Sequence, residues 1–182
     1  MRGISLYRNI LCMTAVVMAL FMGTALAVPR AMTVDDAVIA GIAPGSALSY
    51  VRSIYGEPDG EKTKRTGNYP THLVDYYGAG FVITYDIFGG AQNPLIQSIE
   101  STNAALVMPS GIHVGMKIAE VQQIFSDIQE PFRRDEKINQ YTSPRFYVEV
   151  SDEKKGIRTV VFDVDKKGVI QKIFIYDKYG ID

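Results

Sequence analysis

Residues 111–125 read GIHVGMKIAEVQQIF, and residues 41–55 read GIAPGSALSYVRSIY. The two stretches align without a gap, and both open on a Gly-Ile-x-x-Gly turn whose glycines are Gly41, Gly45, Gly111 and Gly115. After each turn, apolar side chains recur at helical spacing; they are Leu48, Val51, Ile54 and Tyr55 in one copy and Ile118, Val121, Ile124 and Phe125 in the other. A repeated turn followed by the same amphipathic stripe predicts a duplicated unit that begins with a helix.

Alternating apolar and polar residues follow each predicted helix, which is the pattern of half-buried strands. The clearest examples are residues 81–87, 146–150, 160–164 and 169–176. The sequence therefore predicts an α+β fold of two tandem units, 28–103 and 104–182, each with helix followed by a three-stranded antiparallel meander. Because one helix on three strands makes a thin core, we expect the units to pack together or to share a longer sheet.

Two further segments flank this pattern. Thr33–Ala40 (TVDDAVIA) has a helix-capping residue followed by two acidic residues, and it predicts a short extra helix. Lys62, Lys64 and Arg65 form a small basic run after the first helix, and this run is interpreted as a solvated loop.

Residues 1–27 are typical of a secretory signal peptide, with Arg2 and Arg8 before an apolar run and Ala25-Leu26-Ala27 as a small-x-small exit. Cleavage near Ala27 predicts an exported protein, periplasmic or secreted. Removal of these residues leaves 17 basic and 20 acidic side chains, a net charge of −3, which argues against nucleic acid as a partner. Cys12 is the only cysteine, so the mature chain would have none, and no later apolar stretch is long enough to span a membrane.

The chemistry-bearing side chains form no recognisable catalytic motif. His72 and His113 lie in different predicted units, and the chain contains no G-x-S-x-G nucleophile elbow. Asp163–Gly168 begins like a calcium loop, but Lys167 occupies a position at which such a loop needs an oxygen ligand. We therefore expect a non-enzymatic protein without cofactor or metal.

The last predicted strand carries apolar and aromatic residues in both alternating phases, including Phe174 and Tyr176, and Tyr147 lies on the outward phase of an earlier strand. Either both sheet faces are covered within the fold, or one face is an exposed patch. Exposed aromatic patches usually mark partner surfaces. Tyr147, Phe174, Tyr176 and Tyr77 are accordingly the candidate partner-binding residues.

The unit of a G-I-x-x-G turn, a helix with V-x-x-I-[YF] and three strands resembles the repeat of two known groups. These are the small outer-membrane-assembly lipoproteins of the SmpA/OmlA type and the secreted β-lactamase-inhibitor proteins. The resemblance covers about residues 32–102 and 104–178, and the tandem arrangement is more similar to the inhibitor proteins. It implies an exported, non-enzymatic, protein-binding role with no catalytic residue. This chain departs from both groups, because it lacks the disulfides of the repeats and the lipid-modified cysteine of the lipoproteins.

The expected function is thus a protein-binding module that engages an unidentified partner of the envelope or extracellular space through a sheet face. One alternative is a binder of a small ligand or an envelope polymer in a cleft between the units. A more remote alternative is a hydrolase built around His72 or His113.

Overall fold

The computed structural model describes residues 28–129 and 144–178. The predicted signal peptide, residues 1–27, lies outside the described residues. In the described part of the chain the helices are α1 (Leu48–Tyr55) and α2 (Ile118–Ile124). The strands are β1 (Gly60–Thr66), β2 (Tyr69–Tyr77), β3 (Phe81–Asp86), β4 (Leu95–Ser101), β5 (Arg145–Asp152), β6 (Gly156–Val164) and β7 (Ile170–Asp177).

These strands form one antiparallel sheet in the order β1-β2-β3-β4-β7-β6-β5. The predicted fold class of two units, each a helix with a three-stranded meander, is therefore wrong. Four strands follow α1, three follow α2, and the two sets join where Ser98–Ser101 pairs with residues 173–176. This pairing satisfies the backbone groups that β4 and β7 would otherwise leave at open edges.

The interpretation of Lys62, Lys64 and Arg65 as a loop is also wrong, because all three lie in β1 and pair with β2. Every residue of β1 after Gly60 is exposed, so the strand buries no face and shows no apolar alternation. Its backbone is ordered by the ladder to β2 across the short turn at Gly67-Asn68. A strand held only by its ladder carries no periodic signal in its side chains.

The predicted helix over Thr33–Ala40 does not form. The carboxylate of Asp36 instead accepts hydrogen bonds from the N–H of Thr33 at 2.9 Å and from its hydroxyl at 2.8 Å, which closes a turn. The guanidinium of Arg30 also binds this carboxylate and lowers the pKa of Asp36. Local bonds of this kind compete with helical ones, and they leave Val34 and Ile39 in the core.

The two glycine turns are equivalent in the structure. All four glycines have positive φ: 85° at Gly41, 88° at Gly45, 86° at Gly111 and 98° at Gly115. The N–H of Gly45 donates to the carbonyl of Ile96 at 2.8 Å, and the N–H of Gly115 donates to the carbonyl of Ile170 at 2.8 Å. Each turn thus attaches its helix to the last strand of its own set.

The hydrophobic core lies on one face of the sheet, which we call the inner face. Helices α1 and α2 contribute Val51 and Val121 to it. The strands contribute their inward phase, which includes Phe81, Ile83, Tyr85, Ile96, Ile99, Val148, Val150, Val160, Phe162, Val164, Ile170, Ile173 and Ile175. The opposite, outer face is defined by the other phase of the same strands.

Candidate functional site: the outer face of the sheet

One row of side chains crosses six strands of the outer face. The strand registers place its members directly opposite one another in the order Tyr76, Val82, Glu100, Phe174, Val161 and Tyr147. We call this set the outer row. Adjacent strands lie about 4.8 Å apart, so the row is roughly 24 Å long.

The outer row is separate from the core. None of its members belongs to the core cluster or to the partly buried residues packed against that cluster. Helices α1 and α2 both pack on the inner face, and within residues 28–129 and 144–178 no helix covers the row. Neighbouring side chains on the outer face still pack closely, since Val74 is 2% exposed and Thr159 is 5% exposed.

Three of the four predicted partner-binding residues lie on this face. Phe174 and Tyr176 project from the same side of β7, with ring centroids 5.1 Å apart and a 35° tilt between the rings. Tyr147 lies in the outer row two strands from Phe174, with Val161 between them. The structure therefore brings Tyr147, Phe174 and Tyr176 onto one surface.

The fourth predicted residue, Tyr77, lies on the inner face and apart from the others. Its ring packs 5.6 Å from that of Tyr55 and 6.2 Å from that of Phe81, and its hydroxyl donates to the carbonyl of Gly56 at 3.2 Å. Burial raises its pKa. Tyr77 thus belongs to the packing around the end of α1.

A row of alternating charges runs beside the outer row. Arg145 contacts Asp163 at 2.6 Å, and Asp163 contacts the ammonium of Lys172 at 3.4 Å. Lys172 also lies 3.3 Å from the carboxylate of Glu100. The registers pair Arg145 with Asp163 and Asp163 with Lys172, so these charges form the adjacent row of the same face. Because opposite charges alternate, the face has no strong field of one sign.

A buried cluster of charged side chains around Asp75 and Arg52 lies on the inner face of the sheet. Asp75 is 0% exposed, and its carboxylate lies 3.1 Å from the guanidinium of Arg52. Arg52 also contacts Glu57 and, at 3.1 Å, Glu61. Burial raises the pKa of Asp75 above its usual range, and burial also raises the pKa of the neighbouring Tyr85 hydroxyl. The cluster ties α1 to β1 and β2.

The two histidines make only local contacts. Nδ1 of His113 lies 3.0 Å from the carbonyl of Gly111 within the repeated turn, and Nδ1 of His72 lies 3.0 Å from the hydroxyl of Thr71. Neither histidine hydrogen-bonds to a carboxylate of residues 28–129 or 144–178. Over the same residues no group of three or more His, Cys, Asp or Glu side chains could hold a metal ion. Neither described helix is long and apolar enough to cross a membrane.

Sequence reasoning missed Tyr76, Val82 and Glu100. Tyr76 and Tyr77 are adjacent, so they point to opposite faces, and the alternation of β2 alone does not say which face is buried. The missing information was the pairing of β4 with β7, which places Glu100 beside Phe174. No short-range pattern encodes that contact.

Comparisons with protein-family models, with characterised proteins and with solved structures found no match. The similarity to SmpA/OmlA-type and β-lactamase-inhibitor repeats, based on residues 41–55 and 111–125, therefore stays a prediction.

Proposed function

We propose that this chain is an exported, non-enzymatic module that binds another protein through the outer face of its sheet. The observation that carries the proposal is the outer row, an aromatic and aliphatic line that lies outside the core and beneath no described helix. Tyr76 is exposed and the other members of the row are half-buried, so a partner that removes their remaining apolar surface from water lowers the free energy.

The outer face has the dimensions of a protein interface. A row roughly 24 Å long, on strands of seven to nine residues for all but β3, offers an area on the order of the 800 Å² that each partner contributes to a standard complex. Tyr147, Phe174 and Tyr176 supply the large rings that dominate binding energy at such interfaces. They stand on strands, so little backbone entropy is lost when they are covered.

The charges on this face favour selectivity. Glu100 stands in the outer row between Val82 and Phe174, and its carboxylate shares Lys172 with Asp163. A partner that covers the row also covers the Glu100–Lys172 pair, and it must present hydrogen-bond donors that replace the water around this carboxylate, because removing a charge pair from water is costly. Partners of similar shape without such a donor are therefore rejected.

The alternative of a ligand cleft between two units has less support. The halves meet through the backbone ladder of β4 and β7, and one core cluster includes residues of both halves, such as Ile99 and Ile175. Units joined in this way share a surface across the junction, which favours a broad interface over an intervening cleft.

The test is a comparison of partners captured from envelope and secreted extracts. The double variant Tyr147→Ala with Tyr176→Ala removes two rings of the outer face. A matched variant, Tyr69→Ala with Phe88→Ala, removes two rings that are 71% and 72% exposed elsewhere. We expect the first variant to lose a partner that the wild type and the second variant retain. An unchanged partner set with the first variant, in a protein that still unfolds cooperatively, would contradict the assignment.

A further inference from the structure

Strand β1 lies at an edge of the sheet. Among the described residues, no strand pairs with the side of β1 that faces away from β2. The opposite edge differs, because the N–H of Gln129 donates to the carbonyl of Tyr147 of β5 at 3.0 Å. Seven residues make β1 a long edge strand, and six of them are exposed. An open edge of this length is a template for one more strand.

The ladder shows which backbone groups of β1 point outward. The N–H of Ile87 donates to the carbonyl of Thr71, so the backbone of Thr71 faces the strand β3 side. Backbone groups of successive residues in a strand point to opposite neighbours. The odd-numbered residues of β2 therefore hydrogen-bond to β3, and the even-numbered residues hydrogen-bond to β1. The residues of β1 opposite those even positions are Gly60, Lys62 and Lys64. Glu61 and Thr63 therefore direct their N–H and C=O groups away from the sheet.

The side chains of this edge carry unneutralised positive charge. Lys62 and Lys64 belong to the outer face of the sheet, opposite Val74 and His72. They lie about 7 Å apart along the strand. Within residues 28–129 and 144–178, neither lysine forms an ion pair. The neighbouring acidic residue, Glu61, precedes Lys62, belongs to the inner phase of the strand and is already bound to Arg52.

We infer that β1 accepts an extended acidic segment of a partner protein as an eighth strand of the sheet. The incoming strand exchanges backbone hydrogen bonds with Glu61 and Thr63, and two of its carboxylates at alternate positions face Lys62 and Lys64. The position between those carboxylates lies beside Thr63, and the position beside Glu61 is uncharged because a further carboxylate there would be repelled. Peptide addition to a sheet edge draws affinity from main-chain bonds and specificity from alternate side chains.

The same lysines keep two copies of β1 apart. Two copies paired edge to edge would bring ammonium groups together, and like charges on neighbouring strands are destabilising. Lysine on an edge strand is a common protection against unwanted pairing. An acidic strand reverses the sign of that interaction, so the edge excludes itself and selects a strand of opposite charge. The shift in register at Lys64 and Arg65 limits pairing to the first part of β1.

The probe is a capped, fluorescently labelled seven-residue peptide of alternating threonine and glutamate, titrated with the exported protein by anisotropy. Thr63→Pro removes an outward N–H while every β1–β2 hydrogen bond remains possible, and Thr63→Val is its matched control. We expect Thr63→Pro to weaken binding at least about tenfold and Thr63→Val to change it less than about twofold. Lys62→Gln with Lys64→Gln is expected to weaken it about tenfold and to reduce its dependence on salt.

Controls separate strand addition from attraction between charges alone. A peptide of the same composition with its glutamates in one block, a polyglutamate chain and vesicles of anionic lipid carry the charge without the alternating pattern. Equal binding of these probes, or unchanged binding by Thr63→Pro, would overturn the inference. If Thr63→Pro does not fold, amide exchange of the wild-type protein decides the matter. The alternating peptide must then slow exchange at Glu61 and Thr63, and an absence of this protection would overturn the inference equally.

Discussion

Glu100 lies directly opposite Phe174 across the junction of β4 and β7. Glu100 comes from the strands that follow α1, and Phe174 comes from those that follow α2. The outer row is therefore continuous only because the two strand sets join in one sheet. The candidate binding surface is a product of the junction and belongs to neither half alone.

Phe162 and Phe174 lie on neighbouring strands and on opposite faces, and they provide a direct test of which face is the core. Phe162 is 0% exposed within the core cluster, whereas Phe174 lies outside that cluster. We expect Phe162→Ala to lower the free energy of unfolding by about 3–5 kcal/mol. Phe174→Ala is expected to lower it by no more than about 1.5 kcal/mol. Urea denaturation measures both values, and equal losses would show that the outer face is also a core.

Gly45 and Gly115 occupy equivalent turns, so alanine at either position should have a similar cost. Their φ angles of 88° and 98° are unfavourable for a residue with a Cβ atom, and each substitution is expected to cost about 1–2 kcal/mol. Gly60 is the control, because it does not have positive φ and an added Cβ would meet Tyr76 at an ordinary 3.8 Å. Thermal unfolding of the three alanine variants checks this, and a Gly60→Ala loss as large as the other two would contradict it.

The buried carboxylate of Asp75 predicts an unusual dependence of stability on pH. Burial raises its folded-state pKa, while its unfolded-state pKa stays at about 3.9. The folded protein then binds the proton more tightly, so this group makes the protein more stable as the pH falls from the raised pKa toward about 3.9. Asp75→Asn should remove this slope.

Chemical denaturation of both proteins at several pH values between about 4 and 7 measures the effect as a difference. Asp36, whose pKa is lowered by Arg30, contributes stability above its unfolded pKa that is lost as the pH falls through its folded pKa. It is present in both proteins, so its contribution cancels. Parallel curves for the two proteins would refute the assignment to Asp75.

Arg158 connects β6 to the segment that precedes α1. Its guanidinium donates to the carbonyls of Val34 at 3.0 Å and Pro44 at 2.9 Å. Arg158→Met keeps much of the apolar stem but leaves both carbonyls without this donor, and it is expected to cost about 2–4 kcal/mol. Lys167→Met removes an exposed cation and should cost less than about 0.5 kcal/mol. Comparable shifts in the urea midpoint of the two variants would contradict the role of Arg158.

The sequence predicted the elements that bury a periodic face. The turns at Gly41 and Gly111, the helices that carry Val51 and Val121, and strand β3 all follow from local spacing. It did not predict β1, whose order comes from its ladder, or the turn at Asp36, whose carboxylate competes with a helix. It left open whether the two units pack together or share one longer sheet, because the pairing of Ile99 with Ile175, which decides this, joins residues far apart in the chain.

The candidate site was predictable only in part for the same reason. Phe174 and Tyr176 are two residues apart on one strand, so their shared face follows from alternation. Tyr77 was assigned to the partner surface, yet its ring packs against Tyr55 and Phe81 on the inner face. Its neighbour Tyr76 lies in the outer row, and only the pairing with β3 distinguishes the two.

Site-specific photo-crosslinking shows which surface of the sheet contacts a partner protein. A photoreactive phenylalanine analogue is placed at Tyr176 on the outer face in one protein and at Tyr69, which is 71% exposed at the end of β2, in another. Both proteins are produced in living cells and irradiated. We expect one partner protein to crosslink from Tyr176 and not from Tyr69, and we expect Phe174→Glu to abolish the crosslink. Crosslinking of the same protein with equal yield from both positions, or a yield unaffected by Phe174→Glu, would contradict this expectation.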